Sequence, residues 1–136
     1  MKILAFETAT PRGGVALTIN GRLFGERHVD GAAAHSRACL RFAGELVAEA
    51  GITLGDMDVF AASRGPGSFI GVRVGLTLAK GLAWSLARPV VGVSTLEALA
   101  LGGLEEAGEG ERILALLDAR VDEVYGGIFR VQSGNL

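Results

Sequence analysis

The chain is short of several things. It has one cysteine, Cys39, so no internal disulfide can form. That excludes the secreted, disulfide-framework class and fits a reducing, cytoplasmic setting. Only three prolines stand against 21 glycines, a balance that favours tight turns and close helix packing over a flexible linker. Neither sign of charge dominates. Thirteen Lys and Arg against fifteen Asp and Glu give a net charge of −2, so no general basic field gathers nucleic acid, and any RNA contact must be local or made by a partner. The most apolar stretch, residues 69–87, is interrupted by Arg73 and Lys80 and carries Gly71, Gly75 and Gly81; it reads as a buried helix rather than a membrane span. The opening residues reach Glu7 too soon for the apolar region of a signal peptide, so secretion is not expected. What remains is 49% hydrophobic and 21% charged, a globular composition that excludes an acidic disordered chain. At 136 residues it is one domain's worth, long enough to bury roughly two-thirds of its unfolded surface.

Three strand-like runs, 3–8, 15–19 and 23–29, open the sequence. Pro11-Arg12-Gly13-Gly14 separates the first two, and Asn20-Gly21, the strongest short hairpin signal, separates the second and third. From 33 to 50 the period changes: Cys39, Leu40, Phe42, Ala43, Leu46, Val47 and Ala50 share an arc of about 160° on a helical wheel. Arg41 and Glu45 are spaced to pair on the other side, and Gly51 ends the helix. Residues 59–63 form a buried strand, 64–68 a tight turn, and Ser68 the cap of a helix over 69–87. On that helix Gly71, Gly75, Ala79 and Ala83 recur every fourth residue, a ridge that lets another backbone approach closely. A strand at 89–93, a helix capped by Ser94 or Thr95 and running to about 104, an acidic loop at 105–111, and strands at 113–117 and 124–129 complete the order. A meander feeding right-handed βαβ crossovers, βββαβαβα followed by ββ, gives an α/β fold with a mixed sheet and helices on its faces.

The loop Gly65-Pro66-Gly67-Ser68-Phe69-Ile70-Gly71 sits between a strand and a helix, where backbone N–H groups can hold a phosphate. It matches no named phosphate loop. A P-loop needs Gly-Lys-Ser/Thr, the dinucleotide fingerprint needs glycine where Ile70 stands, and a nucleophile elbow at Ser68 needs glycines at Pro66 and Ile70. Local pattern alone favours a strained turn with a helix cap. Glu7-Thr8-Ala9-Thr10 could orient a nucleotide's metal and phosphates, or be no more than a polar strand end. Without glycine directly after Thr8 the second reading carries more weight. His28 and His35 have no carboxylate spaced to complete a metal site, and Cys39 reads as a packing residue rather than a nucleophile.

Taken together, Leu4-Ala5-Phe6-Glu7-Thr8-Ala9-Thr10, the block Arg64-Gly65-Pro66-Gly67-Ser68-Phe69-Ile70-Gly71-Val72-Arg73-Val74-Gly75, then Gly92-Val93-Ser94-Thr95-Leu96, and Asp118-Ala119-Arg120 with Glu123-Val124-Tyr125 resemble the bacterial TsaB (YeaZ) family along the whole chain. The resemblance implies an actin-like ATPase fold, the sugar kinase, Hsp70 and RNase H-like class. It also implies a cytoplasmic pathway that places threonylcarbamoyl on N6 of the adenosine 3′ of the tRNA anticodon. In that family the protein is the non-catalytic partner of a paralog, TsaD, which transfers the group from threonylcarbamoyl-adenylate, with a TsaE-type ATPase in the same complex. The catalytic paralog has a His-Met-Glu-x-His motif after the strand corresponding to 89–93. Here the matching segment is Thr95-Leu96-Glu97-Ala98-Leu99, with neither histidine, so no catalytic or metal-holding residue is expected. Glu7 stands where the family usually has Asp, and Ile70 where it usually has Thr.

By the same resemblance, helices 33–50 and 69–87 pack against their counterparts on the paralog, or against a second copy when the paralog is absent. The expected exposed interface residues are Cys39, Phe42, Leu46, Leu76, Lys80 and Trp84, the alternative being that they complete an intrachain core. The chain alone holds no cofactor; ATP or ADP at the junction with the partner is the implied exception, with Glu7, Thr8, Gly65, Gly67 and Ser68 as candidate contacts. tRNA is met only indirectly and no membrane is involved. A different class of function is an independent nucleotide-dependent ATPase or kinase using those same five residues. The implied fold has two related lobes. The expected division is therefore an N-terminal lobe at 1–107 and the start of a second, truncated lobe at 108–136, in a fragment or shortened form prone to self-association.

Overall fold

The computed structural model describes residues 1–30 and 35–136. Strands β1 (Lys2–Glu7), β2 (Arg12–Ile19) and β3 (Arg22–Asp30) form an antiparallel meander. Asn20 and Gly21 take φ of 53° and 77°, the doubly left-handed turn that their sequence calls for. Strand β2 begins at Arg12, earlier than the turn residues suggest, with Gly14 paired to His28. Glycine is needed there, since a Cβ at position 14 would sit 2.7 Å from the Arg27 carbonyl oxygen. Strands β4 (Val59–Ser63) and β5 (Val90–Val93) add in parallel, giving the order β3-β2-β1-β4-β5.

Helices α1 (His35–Glu49) and α2 (Phe69–Ser85) pack on one face of this sheet. The core there joins Leu4, Phe6, Leu17 and Phe60 of the strands to the inner sides of both helices. The first residues expected in the α1 helix, 33 and 34, lie outside the described residues. Its end follows the expectation: Gly51 has φ +68°, and the N–H groups of Gly51 and Ile52 donate to the carbonyls of Ala48 and Val47, closing a Schellman turn. Arg41 Nε lies 3.6 Å from Glu45, and Arg27 of β3 clamps Glu49 at 2.6 and 2.7 Å.

One expectation is corrected here. Cys39 and Leu46 are fully buried and Phe42 is 8% exposed, all within this chain's own core. The rest of the apolar arc of α1 lies on β2 and β3, while Leu40, expected within it, faces outward with Arg37, Arg41, Gly44 and Ala48. Leu76 of α2 is half-buried against the same core, whereas Lys80 and Trp84 are exposed. The buried residues of α2 are Gly71, Gly75, Ala79 and Ala83, and the backbone admitted by the two glycines is that of the chain's own β1 end.

A separate two-stranded sheet is formed by β6 (Arg112–Arg120) and β7 (Glu123–Arg130). The short helix α3 (Thr95–Leu101), capped by Ser94 and shorter than the expected run to 104, covers one face of it. Leu96 and Ala100 meet Ala115, Ile113, Leu117 and Phe129. The opposite face leaves Leu114, Leu116, Val124 and Ile128 exposed.

Two outcomes follow. Gly75→Leu forces a side chain into Thr8, so urea unfolding followed by far-UV circular dichroism should show a loss of about 1–3 kcal/mol or more from overpacking. Burial, with the Glu7 carboxylate adding, pushes the Cys39 thiol from 9.0 up to about 11. The unfolded thiol therefore ionises first: stability is intact below pH 9 and falls as pH rises from 9 towards 11. Denaturation across that range should show this slope, and Cys39→Ala should flatten it.

Candidate functional site

The carboxyl ends of the parallel strands β1, β4 and β5 lie side by side, the place where open α/β sheets put their sites. Glu7, the last residue of β1, is the organiser. Its Oε1 accepts the backbone N–H groups of Ala9 at 2.5 Å and Thr10 at 3.1 Å, and its Oε2 accepts a short hydrogen bond from the Ser63 hydroxyl at the end of β4. The next residue, Thr8, is 1% exposed and its hydroxyl donates to the Gly71 carbonyl at 2.7 Å in the first turn of α2. Ala9 in turn accepts the Ser68 N–H at 2.8 Å. Gly67, at φ +151°, leaves no room for a Cβ, which would come within 2.9 Å of the Ala9 Cβ.

Ser68 caps α2 as its sequence position suggests, accepting the Gly71 N–H at 3.2 Å. Gly65, at φ +94°, offers its carbonyl to the Thr95 N–H at 2.9 Å and so ties the loop to α3. The structure thus brings Glu7, Thr8, Gly65, Gly67 and Ser68 to one place. It also engages their side-chain oxygens internally: both Glu7 oxygens, the Thr8 hydroxyl and the Ser68 hydroxyl all have partners within the chain. These bonds hold the two loops together. Ser63 was missed by sequence reasoning; its signal was a hydroxyl closing an otherwise apolar strand.

Across the sheet face away from α1 and α2, the register sets Ala16, Ala5 and Ala61 in one row and Gly14 beside Glu7 in the next. These small side chains floor a trough of about 420 Å³, bounded by Arg12, His28, Val93 and Ala98.

The outer side of the helix layer has a different character. Ile70, Arg73, Thr77, Lys80 and Trp84 form an exposed stripe opposite the buried glycines of α2, with Trp84 88% exposed. The Arg73 guanidinium lies 4.2 Å from the Phe69 ring centroid, and that of Arg41 on the neighbouring α1 lies 5.0 Å from the Phe42 ring. Of the six residues expected at an interface, only Lys80 and Trp84 are fully available on this face. Ile70 of α2 and Leu40 of α1 are also exposed and were not anticipated.

Residues 30–136 match the family described as TsaD: tRNA N6-adenosine threonylcarbamoyltransferase. The tRNA threonylcarbamoyladenosine biosynthesis protein TsaB of Escherichia coli is 40% identical over 126 residues, covering 92% of this chain and 53% of that protein. The solved structure of YeaZ from Pseudomonas aeruginosa is 39% identical and superposes with a TM-score of 0.88 over 98% of this chain and 62% of its own. The ROK hexokinase of Thermus thermophilus, 21% identical with a TM-score of 0.59 over 99% of this chain and 47% of its own, shares the fold alone. The chain thus spans about half the length of the E. coli protein. With the strand order above, these likenesses make the fold actin-like, as the sequence blocks imply.

Removing the organiser should loosen this corner. Glu7→Ala leaves two backbone N–H groups and the Ser63 hydroxyl without their charged acceptor, and is expected to cost about 1.5–3 kcal/mol in urea unfolding. Hydrogen exchange should quicken at Ala9 and Thr10 before it does in α1.

Proposed function

The chain belongs to the TsaB family, and from that membership we propose that it serves tRNA N6-threonylcarbamoyladenosine synthesis as a partner subunit that holds a TsaD-type paralog in a competent shape. The observation that carries this reading is the contrast between its two surfaces. At the strand ends, the acid and hydroxyls that could do chemistry are used to fix loops. On the helix layer, Trp84 stands in solvent, with Lys80 exposed one turn before it.

The paralog supplies the transfer from threonylcarbamoyl-adenylate, and a TsaE-type ATPase acts in the same assembly. A second copy of this chain takes the helix face when the paralog is absent. Adenine nucleotide, where it enters, sits at the junction with the paralog rather than in this chain alone. tRNA is reached through the paralog. The setting is the cytoplasm; among the described residues no helix is long and apolar enough to cross a membrane.

Gel filtration of the chain mixed with the TsaD-type paralog of its organism tests the reading. A complex at micromolar concentration is expected, and its absence would sink the partner role. Steady ATP turnover by the pure chain, abolished by Glu7→Ala, would instead establish an independent ATPase.

A further inference from the structure

From the charge of the exposed helix face we infer that its occupant is an acidic protein surface with an apolar pocket for Trp84. This rests on the partner reading above and adds the chemistry of the surface that meets it. The outward sides of α1 and α2 carry Arg37, Arg41, Arg73 and Lys80. Among the described residues α2 has no acid at all. Glu45, 3.6 Å from Arg41, offsets that cation, and Glu49 is held in the two-pronged clamp of Arg27, so the net positive charge of the face comes from Arg37, Arg73 and Lys80.

Two of the cations are held in place. Arg73 lies over Phe69 and Arg41 over Phe42, so less side-chain freedom is lost when a carboxylate meets them. The same two helices also expose Leu40, Ile70 and Trp84, at 48%, 70% and 88% exposure, with Ile70 in the first turn of α2 and Trp84 in its last. Exposed tryptophan and arginine on one face are the residue types enriched in protein-binding hot spots. Nucleic acid is a poorer fit, because phosphates pair with a continuous basic track and gain nothing from leucine and isoleucine set among the charges.

Charge also separates a foreign partner from a second copy. In a two-fold pair the same patch meets itself, so the cations of one copy face those of the other, unpaired. An acidic partner gains at low salt what a second copy loses. The two associations should therefore respond to ionic strength in opposite directions.

The test is the affinity of the full chain for its TsaD-type paralog, by calorimetry at 50 and 500 mM NaCl, beside sedimentation of the chain alone. Binding should weaken about tenfold across that range, since exposed pairs are screened within a few ångströms at high salt. Self-association should strengthen. Lys80→Glu and Arg73→Glu should each weaken binding about tenfold at 50 mM and scarcely at 500 mM, while Trp84→Ala weakens it about thirtyfold at both. All three changes are on the surface, and unchanged circular dichroism and thermal midpoint confirm that the fold survives. A paralog complex that forms but is indifferent to salt and to charge reversal overturns the acidic-partner inference and leaves the partner role standing. No complex at either salt overturns both. Binding of bulk tRNA by the chain alone, lost in Lys80→Glu with the paralog complex intact, gives the face to RNA and overturns the inference.

Discussion

The structure turns on how closely the end of β1 approaches the first two turns of α2. Thr8 is pressed against the helix where Gly71 and Gly75 offer no side chain, and its hydroxyl bonds into the helix backbone. Much of the strand-end region inherits its position from that contact. Once Thr8 is fixed, Ala9 is placed to receive Ser68, Ser68 is placed to cap α2, and Glu7 gathers the remaining N–H groups of the turn. The cost of such closeness is conformational: Gly65 and Gly67 must hold φ values that other residues rarely adopt. The many glycines of this sequence are therefore partly a packing requirement of one crossing.

Local chemistry made much of the architecture legible. The Asn20-Gly21 turn, the Gly51 helix end, the Ser68 cap and the Arg41–Glu45 pair each depend on residues within a few positions of one another, and each is formed as the sequence suggests. What stayed hidden depends on residues far apart in the chain. Ser63 and Glu7 are separated by 56 residues, Thr8 and Gly71 by 63, and no local pattern announces either bond. The start of β2 was misjudged for a related reason. Gly14, which reads as turn in isolation, is strand, and β3 lies too close to it for anything larger.

The interface residues show a different limit. A helical period reveals which side of α1 is apolar, but not whether the covering surface belongs to the same chain. Cys39, Phe42 and Leu46 satisfied the pattern and went to the internal core. On α2 the small-residue ridge was taken inward as well, which turned the mixed stripe of Arg73, Lys80 and Trp84 to solvent. The hydrogen bonds around Glu7 explain how the strand ends are organised.

Trp84 is the chain's one tryptophan, and it is almost wholly hydrated in the folded state. Its indole therefore has nearly the same surroundings before and after denaturation, so intrinsic emission is close to blind to the unfolding of this protein. The same indole is in the path of whatever settles on the helix layer. The natural fluorophore of the molecule is an observer of company rather than of folding.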